Sequence, residues 1–295
     1  MPKSTLFRPL KGVHILSLAL NLPGPAALMR CQQMGAHCIK LEPPGPAGAC
    51  ASSSDPMQIY SPTAYTALHQ GIRITTADLK TQVGQKKLHR ELAKADVLLT
   101  SFRPSALIKL GLCWKALHKQ YPQLSLVAIV GSPGAKAEAP GHDLTYLAEN
   151  GLVTGLDLPA TLYADMAGSL MASEAVLQAV MCRTQKGAGA YFEVALSSAA
   201  AYAALPRAWG LSTPGAAVGG GHAGYQIYPC KDGRVVVAAL EPHFAARLCA
   251  LAGMGASNMR LLATRQTLAD WLLNKSRAQL DKLALDKDIP LHTLA

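Results

Sequence analysis

The first 130 residues repeat one unit: a short apolar run, a break at Gly or Pro, then a stretch with helical character. Residues 13–18 read as a strand, Gly24-Pro25 as the turn after it, and residues 26–34 as a helix that Gly35 ends. Residues 38–41 read as the next strand. Strand, helix and strand within about 30 residues is the length of a βαβ unit. The order returns with a helix over 83–94, a strand over 97–99, helices around Ala106 and Lys115, and a strand over 124–130. Each crossover lays a helix on one face of the sheet, so strands joined in this way run parallel and are covered on both sides. The predicted fold is therefore α/β, with a parallel Rossmann-like sheet in a large domain. Ligands on such sheets bind in the loops that follow the carboxyl ends of the strands.

Beyond this region the pattern changes twice. Residues 43–64, opening on Pro43-Pro44-Gly45-Pro46, are too rich in proline for regular structure and are expected to form a long loop. A long helix over 166–182, a strand over 191–194 and a helix over 196–209 are expected to complete a large domain spanning 1–210. Residues 211–221 read as a Gly/Pro-rich linker. A small α+β domain is expected over 222–295, with Lys231-Asp232-Gly233 as a hairpin turn between strands at 225–228 and 235–240. Gly219-Gly220-Gly221-His222-Ala223-Gly224 matches G-x-G-x-x-G, but it follows a loop and precedes a strand, which is the wrong context for a dinucleotide fingerprint.

Composition narrows the function classes. The chain is 50% hydrophobic and 16% charged, which suits a folded core rather than a disordered one. Aromatics are only 5%, which disfavours recognition of nucleic acid by base stacking. The net charge of +10 suits either a phosphate-bearing partner or general solvation, since no basic run exceeds Lys86-Lys87. Seven cysteines without short metal-like spacing read as reduced thiols, and no metal is expected. The first ten residues carry Lys3, Arg8 and Pro9 without an apolar run, and no stretch approaches the roughly 18 apolar residues of a membrane span. A cytoplasmic protein that contacts neither membrane nor nucleic acid is the expectation.

The residues most suited to chemistry are His142-Asp143 and Asp165. An imidazole and a carboxylate facing each other across a pocket can remove a proton from one side of a carbon and return it on the other. Both residue types titrate near neutral pH when their surroundings tune them. The same residues also suit a structural part: His142-Asp143 can cap a helix starting near Leu144, and Asp165 one starting at Met166.

Several stretches, in order, resemble the family III CoA-transferase superfamily. They are Pro9-Leu10-Lys11-Gly12-Val13, Pro23-Gly24-Pro25, Met34-Gly35-Ala36 with Lys40-Leu41-Glu42, Arg73 with Ala77-Asp78-Leu79, Ala95-Asp96-Val97, and Phe102-Arg103-Pro104. Gly141-His142-Asp143, Ala164-Asp165-Met166-Ala167-Gly168 and Leu240-Glu241-Pro242-His243-Phe244 resemble motifs of its α-methylacyl-CoA racemase branch. The resemblance implies inversion of the α-carbon of 2-methyl-branched acyl-CoA thioesters through an enolate. His142 would exchange the proton on one face and Asp165 on the other, Glu241 would orient the imidazole, and Asp143 would assist. Lys40, Arg73 and Arg103 would meet the CoA moiety, with no other cofactor. The family also contains CoA-transferases that use the acid matching Asp165 as a nucleophile and carry an aspartyl anhydride; a degenerate, non-catalytic homologue is the third reading. The resemblance further implies a homodimer of interlocked rings, closed by a C-terminal return to the large domain that is expected to be shortened in a chain ending at Ala295.

Overall fold

The computed structural model describes residues 7–45 and 54–295. The chain divides into two compact units, Met1–Ala204 and Leu205–Ala295, each with its own sheet and core.

The first unit is built on six strands: β1 (His14–Ser17), β2 (His37–Glu42), β3 (Arg73–Thr76), β4 (Val97–Thr100), β5 (Ser125–Val130) and β6 (Tyr191–Ala195). All neighbours pair in parallel, in the order β3-β2-β1-β4-β5-β6. The order reverses between β1 and β4, which makes their carboxyl ends the topological switch point where doubly wound sheets open a crevice. Successive strand residues serve opposite faces, as the pleat requires. Ile15, Val97, Leu99, Val127 and Ile129 pack with Ala27, Leu28, Ala172 and Val176 on one side. Leu16, Leu41, Leu98 and Leu126 pack with Leu88, Leu92, Leu107 and Leu117 on the other. β4 and β5 are buried along their whole length, the signature of central strands covered on both faces.

The first unit and its border depart from the expected pattern at three points. β3 carries the sequence Arg-Ile-Thr-Thr and is largely exposed, so its backbone pairing at the sheet edge defines it and no apolar run announces it. Within the stretch expected to be irregular, helices Pro56–Tyr60 and Pro62–Leu68 form. Both begin on proline, whose fixed φ and missing N–H suit the first helical position as well as they suit a loop. The helix expected over 196–209 stops at Ala203 and a short one runs over Leu205–Ala208, because Pro206 has no N–H with which to continue the ladder.

The helix Tyr163–Lys186 is 24 residues long and buries a face of small residues, Ala164, Gly168, Ala172 and Ala175 among them. At Gly168 a Cβ would stand 2.3 Å from the Leu196 side chain, so any larger residue there would require that side chain to move. Gly187 ends the helix in the left-handed region at φ 66°, and its N–H donates to the Arg183 carbonyl at 2.8 Å.

The second unit pairs β7 (Tyr225–Cys230), β8 (Gly233–Ala238) and β9 (Leu291–Leu294) antiparallel in that order. Val235, Val237, Leu248, Leu268, Leu272 and Leu280 form its core with helices Pro242–Leu251, Leu262–Leu273 and Arg277–Lys287. The boundary thus falls ahead of the expected linker. Residues 211–221 are not a bare tether but belong to the second unit, with the Gly220 carbonyl accepting from Gln226 Nε2 at 2.6 Å and from Arg265. A strand follows Gly224, so the G-x-G-x-x-G match does not open a helix. No helix among the described residues is long and apolar enough to cross a membrane.

Candidate active site

A cavity of about 570 Å³ opens in the first unit, at the carboxyl ends of its parallel strands. Leu20 and Asn21 follow β1, Ser101, Phe102 and Arg103 follow β4, and Gly131 follows β5, so the cavity straddles the switch point. His142, Asp143, Tyr146 and Asp165 also line it, as do Met57 and Tyr60 of the helix Pro56–Tyr60.

The wall is fixed by two helix starts that share one carboxylate. His142 is the N-cap of the helix Asp143–Glu149, with extended backbone. Its N–H donates to Thr145 Oγ1 at 3.0 Å, which leaves the imidazole exposed at the cavity. Asp143 is buried at 5% exposure and does not cap its own helix. Its Oδ1 accepts the backbone N–H of Asp165 at 2.9 Å, in the first turn of the helix Tyr163–Lys186. The N-cap of that helix is Leu162, which has no acceptor in its side chain, so Asp143 satisfies an N–H that would otherwise be orphaned. The helix-capping expectation is thereby met in altered form: Asp143 caps, but for the neighbouring helix.

That arrangement sets the chemistry of Asp165. Its carboxyl is pushed up from 3.8 to about 6, first by burial and then by the Asp143 charge, against a smaller opposing effect of His142. A carboxyl titrating there holds or releases a proton near neutral pH. Tyr60 and Tyr146 also feel the Asp165 charge; burial is the larger cause of the rise in each phenol's pKa. Tyr60 donates to Asn21 Oδ1 at 2.9 Å. Both tyrosines went unnoticed in the sequence. For Tyr146 a signal existed, since it lies four residues after His142 and shares its side of the helix.

The expected CoA contacts divide. Arg103 lies at the cavity, exposed, at the N-cap of the helix Pro104–Lys109, and forms no ion pair among the described residues. Arg73 does not join it. It sits at the amino end of β3, beside a separate cavity with His14 and His37, and pairs with Glu91 Oε2 at 3.3 Å. Lys40 is fully buried, with its ammonium on Glu42 Oε1 at 2.7 Å, on Asp55, and on His69 Nε2 at 2.9 Å. An ammonium spent on two carboxylates inside the protein is unavailable to a phosphate, so Lys40 is corrected to a structural residue. Among the described residues, Glu42, Asp55 and His69 alone bring metal-ligand types close together, but the Lys40 ammonium already lies among them. Glu241 belongs to the second unit, exposed at the N-cap of the helix Pro242–Leu251.

The fold and this cavity define a doubly wound α/β protein with an acid and an imidazole lining its switch-point crevice. The family model for CoA-transferase family III matches residues 10–295, and the chain belongs to that family. It is 31% identical to a probable fatty acyl-CoA transferase of Mycobacterium tuberculosis over 207 residues, 66% of this chain and 52% of that protein. It is 29% identical to the alpha-methylacyl-CoA racemase of Mus musculus over 280 residues, 89% of this chain and 68% of the racemase. The chain thus spans about half the length of the first relative and two thirds of the second. A solved structure of a CaiB/BaiF family protein from Brucella suis superposes with a TM-score of 0.80 at 24% identity, over 97% of this chain and 84% of the other, a likeness of fold.

Proposed function

We propose that the protein inverts the α-carbon of 2-methyl-branched acyl-CoA thioesters, with His142 exchanging the α-proton on one face and Asp165 on the other. The observation that carries this reading is the placement of His142 and Asp165 on one cavity, with the Asp165 carboxyl raised to about 6. A two-base exchange needs one group to take a proton and another to give one, and an imidazole and a carboxyl can each do both. In one direction the α-carbon loses its proton to one base, the C–H electron pair becomes the enolate double bond, and the carbonyl π pair moves to oxygen. The other base, protonated, then returns a proton to the opposite face. Arg103, exposed at the cavity and without an ion pair among the described residues, suits a phosphate of the CoA moiety.

The test is α-proton exchange of a 2-methylacyl-CoA in D₂O, followed by NMR, beside His142→Ala and Asp165→Ala. Deuterium entering at the α-carbon with both configurations formed, and lost in the variants, supports the proposal. Binding of the ester without exchange overturns it. A second reading is CoA transfer, in which Asp165 attacks the thioester carbon, the thiolate leaves, and an aspartyl anhydride forms. The 31% identity to a probable acyl-CoA transferase favours it. Hydroxylamine trapping of an acyl group on Asp165, with a second carboxylic acid consumed, selects that reading.

A further inference from the structure

One polar group on the cavity wall has no task within the protein. Tyr146 is 4% exposed and packs in the core beside Leu147 and Ala164. Its backbone carbonyl accepts from Asn150 Nδ2 at 2.8 Å, but its hydroxyl makes no hydrogen bond among the described residues. The ring is buried, but the oxygen is not among the sealed polar atoms that lack a partner, so it is open to the cavity that Tyr146 lines. The ring is held so that the oxygen lies against two glycines: a Cβ would stand 2.3 Å from it at Gly131 and 2.6 Å from it at Gly141. Gly131 ends the strand side of the cavity and Gly141 precedes His142, and both line the cavity together with Tyr146. Side chains at either position would take the space that the hydroxyl occupies.

Charge and depth keep the group in its donor form. Burial, Asp165 and Glu149 all raise its pKa, and Arg103 alone opposes them. The hydroxyl is therefore neutral, fixed by packing, and unoccupied beside the two groups proposed to move the α-proton. The carbonyl oxygen of a thioester is two bonds from its α-carbon, so bases that reach the α-carbon bring that oxygen within reach of the same wall.

We infer that the Tyr146 hydroxyl donates a hydrogen bond to the thioester carbonyl oxygen, and more strongly to the enolate oxygen it becomes, an inference that rests on the proposed α-proton chemistry. The phenol keeps its proton throughout. Negative charge grows on the oxygen as the α-proton leaves, and the donor lowers the energy of that state more than of the bound ester. Tyr146 is then a third catalytic residue, supplied one helical turn after His142.

Tyr146→Phe removes only the hydroxyl. Loss of one preorganised oxyanion donor is worth about 10²–10³ in turnover, so exchange should slow by that factor with KM changed about twofold. Two CoA compounds read the same bond without turnover. An S-alkyl-CoA thioether has no carbonyl oxygen and should bind the variant as it binds the wild type, which also shows that the variant folds. A nitronate-forming acyl-CoA analogue, which mimics the enolate, should bind at least about 30-fold more weakly. Gly141→Ala, which keeps the phenol but crowds its oxygen, should show the same selective loss. Exchange within about threefold of wild type, with nitronate affinity intact, overturns the inference and leaves the racemase proposal standing. A wild type that exchanges no α-proton, with selective loss of nitronate in Tyr146→Phe, overturns racemisation and keeps Tyr146 as a donor to the thioester carbonyl.

Discussion

Two polar clusters lie within the first unit, and they are built on opposite principles. Around Lys40, the ammonium meets Glu42, Asp55 and the His69 ring, and Tyr65 donates to Glu42 Oε1 at 2.9 Å. Asp55 Oδ1 also accepts the N–H groups of Asn21 and Met57, which ties the helix Pro56–Tyr60 to the loop after β1. The cluster is sealed, and its charges are used up on one another. In the cavity, Asp165 is held near a like charge, and among the described residues neither the Tyr146 hydroxyl nor the Arg103 guanidinium has a hydrogen-bond or ion-pair partner. Buried polar groups that satisfy each other hold a structure in place; groups left short of partners are the ones with capacity to meet a ligand.

The sharpest way to break the contrast is to neutralise one member of each cluster. Asp165→Asn should abolish α-proton exchange by at least about 10³, since a base is lost outright, while the variant melts no lower than wild type. A large fall in melting temperature would make Asp165 structural like Lys40. Lys40→Met should do the reverse, leaving two carboxylates buried without their counter-ion and costing about 3–5 kcal/mol of stability in urea or thermal unfolding. An unchanged midpoint would show that the sealed cluster is not what holds that wall.

The pH dependence of stability gives a smaller effect. The Asp165 carboxyl titrates at about 6 in the folded protein against 3.8 ordinarily, so the folded state binds its proton more tightly than the unfolded state does. Its contribution is complete below about pH 4 and is lost as pH rises through about 6. Discounted for partial exposure, this is about 2 kcal/mol. Urea midpoints measured at pH 4.5 and 7.5 should therefore differ less in Asp165→Asn than in wild type, and equal differences would remove burial as the cause. The mildest change is Asp143→Asn. The amide carbonyl still accepts the Asp165 N–H, so stability should move by about 1 kcal/mol or less. The like charge is gone, so the acid limb of the kcat/KM profile should shift to lower pH; an unmoved limb would deny Asp143 its part in raising Asp165.

Much of the fold and site is legible in the sequence, and each exception has its own physical cause. The strand–helix alternation announced β1, β2, β4 and β5 because central strands must be apolar on both faces. β3 was silent because an edge strand of Arg-Ile-Thr-Thr owes its existence to backbone bonds with β2. His142, Asp143 and Asp165 were legible as residue types, and the structure places all three on one cavity. Lys40 misled because sequence position does not reveal burial: a lysine in a strand reads as a free cation until the acids around it are known. Tyr146 stayed hidden for the opposite reason. An aromatic at helical spacing reads as core, and core it is, except at one oxygen.

The helix Tyr163–Lys186 has a consequence for how such a site tolerates change. At 1.5 Å per residue its 24 residues form a rod of about 36 Å. Asp165 rides on one end, and the Gly187 turn stops the other. The small residues between them permit close seating and leave no slack, so the rod has one resting place. A methyl group added at Gly168 would press on the Leu196 side chain, which also lines the cavity, and so reach the site without touching Asp165 or His142. Changes in the proposed activity are thus to be sought along the shaft as much as in the pocket.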